Sequence, residues 1–141
     1  MDEQELKEYL SNFVLEFATK MNELGNRIYE QSRVDRQTDW FEEYNKQYLP
    51  IFRAYCTVKE RVYAGKKDSF GSPQYLGIAS ADEITVDFKN ERKAEVIFKT
   101  KTKEFGDTRY LFVVVKKKDG WKIDSYKRWS NWKQKWVNQI L

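Results

Sequence analysis

From Glu3 to about Ser32, apolar side chains recur at Leu6, Leu10, Phe13, Phe17, Met21, Leu24 and Ile28. Steps of three and four place them on one stripe of a helix. About thirty residues at a rise of about 1.5 Å each would reach about 45 Å. A helix of that length is either a coiled-coil strand or a strut laid across a sheet. The aromatic rings of Phe13 and Phe17 and the break near Val34 favour the strut. Asp39 followed by Glu42 is a capping arrangement, and it opens a second helix with Trp40, Phe41, Tyr44 and Tyr48 available to pack inward. Pro50 is expected to end that helix and begin a short third one bearing Phe52, Tyr55, Cys56 and Val62. Residues 66–81, rich in Gly, Ser and Pro, follow as a loop.

Beyond the loop the period drops to two. Ile84, Val86 and Phe88 alternate with Thr85, Asp87 and Lys89, and Ala94, Val96 and Phe98 alternate with Glu95, Ile97 and Lys99, two strands joined at Asn90. Residues 110–115 form a third strand, and Asp119-Gly120 is a tight-turn signal leading to a fourth at Trp121, Ile123 and Ser125. The third strand breaks the alternation. Tyr110, Phe112 and Val114 point one way, while Leu111, Val113 and Val115 are as apolar on the other. Helices can cover one face only, so the second must meet the C-terminal tail, a second subunit or a partner. Trp129, Trp132, Trp136 and Ile140 have helical spacing, which predicts a terminal helix able to cover it.

Composition narrows the chemistry. The chain has 141 residues, 40% hydrophobic and 34% charged, with two prolines and six glycines, which fits one folded domain with its own core. No segment approaches the roughly 18 apolar residues of a membrane span, and the acidic start MDEQELKEYL is unlike a signal peptide, so a cytoplasmic protein is expected. The one cysteine, Cys56, has no disulfide partner within the chain and reads as a small core residue. There is no histidine, which removes Ser-His and Cys-His nucleophilic chemistry and the usual near-neutral general base. Residues 1–50 carry 11 acidic and 6 basic side chains and residues 51–141 carry 11 and 20, a balance of −5 followed by +9. Such asymmetry marks either an interaction surface or lysines alternating along exposed strand faces.

Three segments carry a resemblance: SFGSPQYLG at Ser69 to Gly77, YLFVVVKKKDGWKIDSYKRW at Tyr110 to Trp129, and FRAYCTVKER at Phe52 to Arg61. With the order of long helix, short helices, loop and meander, the chain resembles the α+β, cone-shaped nuclear transport factor 2-like fold. Within it, the chain resembles the immunity-protein branch of bacterial polymorphic toxin systems. The DGWKID element is shared widely across that superfamily, whereas the Gly-Ser-Pro-x-Tyr loop points to the immunity branch. The resemblance implies a protein that binds and neutralises a cognate toxin, with no cofactor and no catalytic residue, on a fold that admits a homodimer through the outer sheet face. Ser69, Ser72, Pro73 and Tyr75 in the loop, with Trp129 and Trp132, are the expected partner-binding residues. Tyr75 is either an aromatic anchor for the partner or a plug that seals the mouth of the cone.

Two other chemistries compete. A small-molecule-binding or isomerase-type enzyme would use the conical pocket, with Asp87 or Asp124 as base and tyrosines as donors. Strand parity turns both carboxylates outward if the apolar set faces the cone. A nucleic-acid surface would use YKRWSNWKQKW at Tyr126 to Trp136, where lysines such as Lys133 and Lys135 interleave with tryptophans. If those tryptophans form the buried stripe of a terminal helix, no nucleic-acid partner is expected. Neither a phosphate-cradling glycine loop nor metal-ligand spacing is present, so no cofactor or metal is expected.

Overall fold

The structure, a computed structural model, describes residues 2–58, 75, 77–102, 106–139 and 141, with backbone alone at 101, 102, 106 and 107. Helix α1 runs from Glu3 to Val34 and α2 from Trp40 to Tyr55. Asp2 opens α1 by accepting from the Glu5 amide at 2.8 Å, and Asp39 opens α2 by accepting from Glu42 at 3.1 Å. Each thereby satisfies an amide that the helix itself leaves unpaired. Of the stripe expected along α1, Leu10, Phe17, Met21, Leu24 and Ile28 are buried, Leu6 and Phe13 are half-buried at its margin, and Val14, outside the expected set, is buried with them.

Pro50 does not divide the second helix. It lies inside α2, on the exposed side, while Tyr44, Tyr48 and Phe52 continue one buried row through it. The ring removes one backbone donor, and burial of three aromatic side chains outweighs that loss. The expected third helix is therefore the last turn of α2. Cys56 follows as its C-cap, buried as expected of a small core residue. The chain there turns to extended backbone: Cys56 forms a parallel bridge with Ile123, and the Thr57 amide donates to the Ile123 carbonyl at 2.9 Å. Val62 lies outside the described residues.

Five strands follow a short 3-10 turn at Ile78–Ser80: β1 Glu83–Asn90, β2 Lys93–Thr102, β3 Gly106–Lys117, β4 Gly120–Ser130 and β5 Lys135–Gln139. They form an antiparallel meander in the order β1-β2-β3-β4-β5. Gly120, at φ 109°, closes the Lys118-Asp119 turn with a backbone that favours glycine. Register brings Val86, Val96, Phe112 and Tyr126 into one transverse row on the face toward the helices, and Phe98 beside Tyr110 in the next. Irregularities at Phe88/Asn90 and Val113/Val114 bend the ladder, as bulges do, so that the sheet curves.

The C-terminal segment departs from the expected helix. Trp129 and Trp136 stand directly opposite one another on β4 and β5, joined by a turn at 131–134 in which Gln134 adopts φ 54°. A separation of seven residues fits two helical turns and also a hairpin with a four-residue loop, so spacing alone is ambiguous. Within that turn the Ser130 hydroxyl accepts from the Lys133 amide at 3.1 Å. Ile140 lies outside the described residues. The second apolar face of β3 is thus not covered by a terminal helix. Leu111 and Val113 are nevertheless buried, with Ile97 and Lys127 flanking the first and Glu95 and Ser125 the second. Long charged side chains can lay their aliphatic stems over such a face and keep their heads in water.

Candidate partner-binding site

The expected site residues fall in two places. Ser69, Ser72 and Pro73 lie outside the described residues. Tyr75 lies at the centre of the core, with no exposed surface. Its ring packs 5.1 Å from Tyr126, 5.4 Å from Phe112, 6.0 Å from Tyr110 and 6.1 Å from Phe17, centroid to centroid. Backbone bonds hold it there: the Asn22 amide group donates to the Tyr75 carbonyl and accepts from the Tyr75 amide, both at 2.9 Å. Tyr75 is thereby pinned to α1. Burial raises the Tyr75 phenol well above its usual range. Of the two readings of this residue, the geometry corresponds to a plug. Sequence reasoning missed Asn22, whose one signal is an amide adjoining the buried stripe of a helix.

The enzyme alternative requires carboxylates in that interior. Asp87 is on the outward face of β1, exposed and paired with Lys89 at 2.7 Å. Asp124 is half-buried at the β3–β4 irregularity and accepts from the Thr57 hydroxyl at 2.8 Å. The Tyr75 ring lies in that interior, packed among Phe17, Tyr110, Phe112 and Tyr126.

Trp129 and Trp132 lie at the far end of β4. Trp129 meets Trp136 edge to face, at 5.5 Å and 76°, and the Arg109 guanidinium sits 5.4 Å from the Trp129 ring on the side away from it along the sheet. Electrostatic attraction between the cation and the ring face fixes that side of the indole. Both indoles are half-buried, whereas Trp132, in the turn beyond them, is 90% exposed. Lys133 and Lys135 beside it are exposed too. This outer corner therefore presents one free indole, two braced ones and a positive rim, a composition typical of protein-binding anchors.

Comparison with known proteins settles the family. A family model described as NTF2 fold immunity protein matches residues 9–139. The chain belongs to that family. It is also similar to the protein named Immunity protein RhsIA from Dickeya dadantii (strain 3937), with 25% identity over 126 residues that cover 89% of this chain and 91% of that one. No solved structure matches. The fold and the immunity branch expected from the loop and strand motifs are both borne out, and with them the toxin-neutralising role of the family. No helix among the described residues is long and apolar enough to cross a membrane.

Proposed function

We propose that this immunity protein neutralises its toxin by forming a stoichiometric complex, with the tip of the β4–β5 hairpin as the central contact and no side chain of its own taking part in a chemical step. The observation that carries the choice of surface is Trp132: an indole left 90% exposed beside the half-buried Trp129–Trp136 pair makes an aromatic cluster of the kind that anchors protein partners. A preformed hairpin also loses little conformational entropy on docking.

Co-expression with its cognate toxin tests the reading. Cells survive with the wild-type chain and lose most protection with Trp132→Ala together with Trp129→Ala. Undiminished protection by that variant would remove the hairpin from the interface. Nucleic-acid binding at the same corner would show instead as salt-sensitive retention of single-stranded DNA, weakened by Lys133→Ala and Lys135→Ala.

A further inference from the structure

We infer that two copies of this chain join edge to edge through β1, making one continuous ten-stranded sheet across a two-fold axis. β1 ends the sheet, hydrogen-bonded to β2 on one side. Among the described residues no strand adjoins its other side, which leaves a row of backbone donors and acceptors open to pairing. The start of α1 packs beside β1, and a groove of about 620 Å³ lined by Lys7, Ser11, Asn12, Ile84 and Val86 lies open between them. Ile84, on this edge strand, is 40% exposed.

The choice of a second copy as occupant rests on the pattern along β1 itself. A two-fold axis perpendicular to the sheet pairs residues equidistant from a central one, and paired residues share a face. Centred on Thr85, the pairing sets Glu83 against Asp87; centred on Asp87, it sets that carboxylate against its own copy. Both oppose like charges. Centred on Phe88, it runs through the irregularity between Phe88 and Asn90 and loses half its ladder. Centred on Val86, it sets Glu83 against Lys89, Ile84 against Phe88, Thr85 against Asp87 and Val86 against itself. Apolar residues then meet on the inner face and opposite charges on the outer one.

The outer-face charges fit that register within each copy as well. Within each copy Glu83 pairs with Lys99 across the strands at 3.4 Å, and Lys89 pairs with Glu95 at 3.4 Å and with Asp87 of its own strand at 2.7 Å, so both seam residues already lie among partners of opposite sign on that face. Seven facing positions make a small interface, so the dimer is reversible and concentration-dependent rather than obligate. The inference is independent of which surface holds the toxin.

Sedimentation velocity of the full chain over a concentration series from about 1 to about 500 micromolar tests it. The expected result is a monomer that shifts to a dimer as concentration rises. Glu83→Lys and Lys89→Glu each abolish the shift by setting like charges across the seam, and the double exchange restores it. Circular dichroism checks that the variants, all at exposed positions, are folded. A monomer throughout overturns the inference, and so does a dimer that survives the single exchanges or that the double exchange fails to restore. If the chain stays monomeric and Glu83→Lys instead weakens toxin binding, the edge belongs to the toxin.

Discussion

At Tyr75 one residue ties α1 to the sheet, and it does so with its backbone as much as its ring. Replacing Asn22 with alanine leaves a buried amide and carbonyl without those partners, and should lower stability by about 1 to 3 kcal/mol, read as a shift in the urea midpoint at unchanged slope. Truncating Tyr75 to alanine should cost more, about 3 to 5 kcal/mol, because the ring fills the centre of the core. The phenols also make a pH prediction. Burial pushes Tyr44 up to about 12, and desolvation with the Glu16 carboxylate beside it pushes Tyr55 to the same value. A phenol whose folded pKa is raised contributes stability that is fully present below its unfolded pKa near 10 and is lost as the pH rises through about 12. Tyrosinate absorbance should therefore rise in two stages, exposed rings first and buried ones only with unfolding. That Tyr75 matters was legible from the loop motif. Its clasp was not, since the partner lies 53 residues away on another element.

Among the elements, regular alternation and the capping residues were readable because each depends on near neighbours alone. Both helix starts and the strands at 83–90 and 93–102 stand where the sequence places them. The two misreadings share a physical cause, in that long-range packing overrode a local signal. Pro50 is tolerated because Tyr48 and Phe52 on either side of it are buried against the rest of the fold. Pro50→Ala should accordingly stabilise the protein by about 1 to 3 kcal/mol and raise the melting temperature by several degrees. At the C-terminus a helical spacing of tryptophans resolves into a hairpin because Trp136 pairs with Trp129 across the strands. A double-mutant cycle on that pair should return a coupling of about 0.5 to 1.5 kcal/mol in thermal denaturation; zero coupling would mean that the indoles are neighbours without being partners.

Over the whole molecule, the helices and the inner face of the sheet enclose an aromatic interior, while the outer face carries charge and ends in the tryptophan corner. The fold class and family were legible because strand parity and the loop motif survive without any three-dimensional information. The exposed corner was not, because whether Trp132 is covered depends on the conformation of the tail that carries it. That corner separates binding from folding. Trp132 is so exposed that Trp132→Ala should change stability by less than about 0.5 kcal/mol. The direct test is calorimetric titration of the cognate toxin with wild-type and Trp132→Ala chains. Stoichiometric neutralisation through the hairpin predicts a 1:1 endpoint for the wild type and a loss of about 10- to 100-fold in affinity for the variant. Unchanged affinity in the variant, or toxin inactivated by far less than one equivalent of the chain, would contradict it.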